Sequence, residues 1–98
     1  MAKTETSDNV TVANTTTVIQ AANLDRVYLY IVNDSDEAVY LNIIGSAAVL
    51  NKGIRLKATG GSITIDNSGK PSYERITAAV NGICSSGGKL VTVTETTR

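Results

Sequence analysis

The side chains in this sequence that could do chemistry are few and scattered. There is no histidine among its 98 residues, which removes the usual general base, the Ser-His and Cys-His nucleophile pairs and the common zinc sites. Cys84 is the sole cysteine, so neither an internal disulfide nor a cysteine-rich metal cage can form; its expected role is that of a small buried hydrophobe. Asp34, Asp36 and Glu37 supply half the oxygens of a calcium loop but lack the central glycine and the distal bidentate glutamate, and they read as a solvated turn. Ser85 and Ser86 lie near Lys89, yet nothing around them builds an oxyanion hole, and the Ser-Ser-Gly-Gly string reads as a loop. Asp66 and Glu74 are the least unfavourable carboxylate pair, with no spacing that brings them together. The expectation is a chain that is not an enzyme and takes no metal or cofactor.

Binding chemistry is equally restricted. Lys52, Arg55 and Lys57 form the one basic cluster, with Arg55 and Lys57 on one face of a strand, but no aromatic residue interleaves them as a base-stacking platform requires. Nine basic residues balance nine acidic ones, so no overall field attracts phosphate, and nucleic acid is not an expected partner. The longest apolar runs fall far short of the ~20 residues needed to cross a bilayer as a helix, so a membrane is not expected either. Met1 is followed by polar residues rather than a basic and then apolar leader, which reads as synthesis in the cytoplasm. Tyr28, Tyr30, Tyr40 and Tyr73 are the only aromatics, leaving Val, Ile, Leu and Ala to fill a thin core. Packing is the commoner use of such tyrosines; Tyr28 and Tyr30 share a face, Tyr40 joins them or lies opposite depending on register, and if exposed these rings, with Arg55 and Lys57 as the further candidate interface residues, are where a protein interface or a sugar-stacking surface sits.

The elements that must position these residues read as strands. Thr and Val dominate positions 10–19 and 90–97, and branched side chains suit a pleated, half-buried surface. Along 26–32, Val27, Leu29 and Ile31 face one way and Tyr28, Tyr30 and Val32 the other. The turn-forming string 33–37 and the alternating run 38–44 predict a β-hairpin. Gly60 and Gly61 predict a second turn with strands on either side. The stretch 73–85 reads as one broken strand with a bulge at Gly82, and Ala47 to Leu50 makes at most one helical turn. The fold expected is all-β: a small antiparallel β-sandwich or barrel of about six to eight short strands with little or no helix. It is preceded by a flexible polar arm over residues 1–9, with one domain over 10–98.

The order of segments resembles small β-rich virion proteins of tailed bacteriophages, of the capsid decoration and head-fibre type. The resemblance runs from about Val18 to Glu95. It is carried by Ala22-Asn23 before Arg26, Leu29-Tyr30-Ile31-Val32-Asn33, Val39-Tyr40-Leu41, Gly53-Ile54-Arg55-Leu56, Gly60-Gly61 and the closing Leu90-Val91-Thr92-Val93-Thr94-Glu95. The resemblance implies a structural virion component that acts by protein-protein contact. Its implied partners are the major capsid protein or fibre proteins and further copies of itself, a trimer being one such arrangement. In that setting the Thr-rich ends become arms that add to a neighbour's sheet. The alternative class is a carbohydrate- or receptor-binding module, for which Tyr40 beside Asn42 is the expected contact.

Overall fold

The computed structural model describes residues 4–98. Eight strands carry the chain: β1 (Thr4–Val12), β2 (Thr17–Gln20), β3 (Arg26–Asn33), β4 (Val39–Asn42), β5 (Ile54–Leu56), β6 (Gly61–Asp66), β7 (Val80–Ile83) and β8 (Lys89–Thr97). Among the described residues the only helical element is a 3₁₀ turn at Ser72–Glu74; residues 47–50 form none. The strands make two four-stranded antiparallel sheets, ordered β1-β8-β3-β6 and β2-β7-β4-β5. In sequence, β1 pairs with β8, β2 with β7, β3 with β6 and β4 with β5. The chain is thus one long hairpin folded at the β4–β5 connection and rolled into two sheets, the eight-stranded jelly roll.

Alternation along the strands puts the core between the sheets. Val12, Leu29, Ile31, Val91, Val93 and Ile65 point inward from the first sheet, and Ile19, Val80, Cys84, Val39, Leu41 and Leu56 close it from the second. Leu29 and Ile31 are fully buried while Tyr28 and Tyr30 face out, as the period-2 pattern predicts. Cys84 is the buried small residue expected, and its thiol donates to the carbonyl of Val12 at 3.2 Å.

Several expected pairings are replaced. The run 26–33 and the run 39–42 do not form a hairpin, because β3 and β4 lie in opposite sheets and residues 34–38 cross between them. Asn33 drives that crossing. It is fully buried, its side-chain amide donates to the carbonyls of Glu37, Leu56 and Lys57, and its carbonyl oxygen accepts from Ser35. The turn at Gly60 and Gly61 likewise joins β5 of one sheet to β6 of the other. The bulge falls in β2 rather than at Gly82: the register slips between Val18 and Gln20, and the extra residue, Ile19, drops its side chain onto Gly82 inside β7. The boundary drawn at residue 9 is not a structural one. Residues 4–9 are the exposed half of β1, hydrogen-bonded to β8 in unbroken register; polar side chains leave the backbone free to complete a ladder when a partner strand is at hand. The rest of that arm, residues 1–3, lies outside the described residues.

Gly61 tests this close packing. A Cβ there overlaps the backbone nitrogen and oxygen of Lys57, neither of which can move without opening the β5–β6 crossing. Gly61→Ala is expected to lower unfolding stability by about 2–3 kcal/mol, as overpacking against fixed atoms does, in urea denaturation followed by circular dichroism.

Candidate interaction surface

Several of the residues picked out as chemically able are bound to one another. Glu37, in the β3–β4 crossing, accepts from the Ser86 amide and hydroxyl, each at 2.7 Å. Asp36 pairs with Lys89 at 2.7 Å. Two members of the acidic cluster and, far from them in sequence, Ser86 after β7 and Lys89 at the start of β8 therefore bind one another and latch two crossings at one end of the sandwich. Hydrogen bonds from Lys89 to Asp36 and from Ser86 to Glu37 hold both carboxyls below their ordinary range, and the same contact with Asp36 raises the Lys89 ammonium. Asp66 takes the hydroxyl and amide of Ser68, which lower its carboxyl too. No group of three or more metal-ligating side chains exists among the described residues.

The opposite end is closed by a buried ion pair that the sequence reading did not single out. Arg26 donates its Nε to Glu95 at 2.7 Å, with side-chain exposures of 0% and 8%. Its remaining donors reach the carbonyls of Ala21, Ile76 and Ala78, and the other Glu95 oxygen accepts from Gln20 and Asn23. Asn67, also buried, donates to the carbonyls of Arg26 and Ile76 and accepts from the Ile76 amide. A possible signal lay in the sequence: Glu95 is the one charged residue between Leu90 and Thr97, within a run that otherwise alternates apolar residues and threonine.

What remains free is surface. Tyr28 and Tyr30 stand on the outer face of the first sheet, 38% and 39% exposed. Cross-strand register sets Tyr30 between Thr94 and Thr64, with Ser7 beyond Thr94, and Tyr28 between Thr96 and Asp66, with Glu5 beyond Thr96. The Ser7 and Thr94 hydroxyls bond to each other at 3.2 Å. Two half-exposed rings thus sit in a sheet face of hydroxyls, with charge only at the Glu5 and Asp66 margins. Tyr40 does not join them. It lies on the second sheet opposite Arg55, while Lys57 follows β5 and contributes backbone contacts to Asn33 and Gly61. The expected cluster of Tyr28, Tyr30, Tyr40, Arg55 and Lys57 is therefore split between two sides of the sandwich, because β3 and β4 part company at Asn33. Asn42, expected beside Tyr40 as a ligand contact, spends its side-chain oxygen on the amides of Ile44 and Ser46.

Two outcomes follow. Glu95→Ala leaves the Arg26 guanidinium buried without its counter-ion and is expected to cost about 3–5 kcal/mol, measured by denaturant unfolding. The latch has both an acid and an alkaline limit. Carboxyls lowered by folding stabilise above their unfolded values and lose that contribution as pH falls below about 4; the raised lysine stabilises below its unfolded value and loses it above about pH 10.5. Hydrogen-exchange protection of the Ser86 amide is expected to weaken at acid pH and to be lost in Glu37→Ala, while amides of the core strands keep theirs.

No protein-family model and no curated protein sequence matches the chain. Among solved structures, one similar chain belongs to a work entitled "Bacillus endospore appendages form a novel family of disulfide-linked pili"; the two superpose with a TM-score of 0.56 at 13% identity, over 98% of this chain and 86% of that one. At that identity the likeness is one of fold.

Proposed function

We propose that this chain is a non-enzymatic structural subunit of a bacteriophage virion, a capsid decoration or head-fibre component made in the host cytoplasm. It works by contact with major capsid or fibre proteins and with copies of itself. The observation that carries this reading is the division of labour among its side chains: Asp36, Glu37, Asp66, Cys84, Ser86 and Lys89 are each engaged within the fold, whereas the outer face of the first sheet offers two tyrosines in a field of hydroxyls. Half-exposed tyrosines of that kind combine apolar area with a polar tip and are favoured where one protein meets another. The fold supports the reading by analogy, since jelly rolls are frequent in capsid proteins, as does the similar chain from a pilus, which is itself a structural assembly. The disulfide linkage in that work's title does not transfer to this chain: Cys84 is buried and its thiol is bonded to Val12.

The purified full-length chain is expected to form a stable oligomer, a trimer or larger, in size-exclusion chromatography with light scattering. Tyr28→Ala/Tyr30→Ala is expected to keep the fold by circular dichroism and to weaken association with copies or particles by about tenfold, a loss of roughly 1.4 kcal/mol. Retention on a neutral polysaccharide that disappears in the same double variant would instead assign this face to sugar.

A further inference from the structure

We propose that the outer edge of β1 is a docking site for a second copy of this chain, which adds its own β6 edge in antiparallel pairing, and that repetition builds a head-to-tail assembly. The inference deepens the structural-subunit reading and rests on it. Two sheets present four edges. β2 is four residues long and broken by a bulge, and β5 is three residues long with a charged, exposed Arg55. Natural proteins blunt edges with shortness, bulges, lysine and proline. β1 is the least protected of the four: it runs for nine residues in unbroken register with β8, contains no Pro, Lys or Arg, and has as its charges only Glu5 and, at the parity of Val10 and Val12, Asp8. Its residues 4–9 are exposed on both faces, and the one local shield is the Asp8 carboxylate, which accepts from the Asn9 amide at 2.8 Å.

The occupant follows from pleat and charge. β6, six residues long, is the other edge of the same sheet, so its twist matches. Inward-facing Val10 and Val12 of β1 meet inward-facing Ile63 and Ile65 of a neighbour's β6 whenever even positions of one oppose odd positions of the other. Pairing two β1 strands across a two-fold axis brings together edges whose only charges, Glu5 and Asp8, are acidic. β6 carries a single acid, Asp66, and is flanked in sequence by Lys57 on one side and by Lys70, Glu74 and Arg75 on the other, so β6 against β1 brings fewer like charges together than β1 against β1. A contact between two different patches does not close on itself in a dimer and so propagates into rings or filaments.

The test uses full-length chains, with Cys84 left in place as a buried thiol and the unsubstituted chain as control. One set carries Ser7→Cys, Asn9→Cys or Thr11→Cys in turn, and the other carries Thr64→Cys. Mild oxidation of a β1 variant mixed with the β6 variant is expected to give a mixed disulfide that neither forms alone. Thr6→Lys, which sets an inward charge on the edge, is expected to weaken self-association by at least about tenfold. Dimers from a β1 variant alone would mean two-fold pairing and overturn the proposal. Oligomers by light scattering, without cross-links and indifferent to Thr6→Lys, would leave the structural-subunit reading intact and overturn the edge. A monomer at every concentration would remove both self-association and the edge, leaving only contact with other particle proteins.

Discussion

The contact between Arg26 and Glu95 constrains more of this molecule than its size suggests. Arg26 opens β3 and Glu95 lies near the end of β8, so the pair ties two central strands of the first sheet at one place. The guanidinium also gathers the carbonyls of Ala21, Ile76 and Ala78, which belong to connections leading into and out of the second sheet. A desolvated ion pair contributes little net stability against an apolar replacement, but a misplaced partner is severely penalised. Its effect is one of selection: arrangements that leave either charge alone in the interior are excluded. Gln20, Asn23 and Asn67 complete the satisfaction of this end, and no buried side-chain nitrogen or oxygen among the described residues lacks a partner.

At the other end the same work is done by Asn33 and the Glu37–Ser86 and Asp36–Lys89 contacts. Between the two polar ends lies a core of Val, Ile, Leu and a single Cys, without a buried aromatic ring. An aliphatic core of this size leaves a modest margin over conformational entropy, which makes the polar ends matter for specificity. Because pairing in a jelly roll is nested, β1 and β8 pair across nearly the whole length of the chain. Non-local pairing of that kind places this fold among the slower-folding topologies.

The same topology sets what the surface offers. With β3 and β8 in the middle of one sheet, Tyr28 and Tyr30 are central on a broad face, and with β1 at its margin a long strand is left unshielded. Charge is kept to the rims and the ends of the sandwich.

Much of this was legible in the amino-acid order. Alternation at Leu29 and Ile31 against Tyr28 and Tyr30, the density of branched residues and the punctuation by glycine and Asx-rich turns determined an all-β chain, because strand faces and turn conformations are local properties. Which strands pair was not local. Turn residues such as Asn33 to Glu37 state that the chain reverses, but not whether it returns within its own sheet or crosses to the opposite one; that is decided by a buried Asn33 side chain reaching carbonyls more than twenty residues away. For the same reason only the tertiary structure separated Tyr40 from Tyr28 and Tyr30, converted the polar residues 4–9 from a presumed arm into an edge strand, and joined Arg26 to Glu95, each the product of contacts between distant segments that no window of sequence contains.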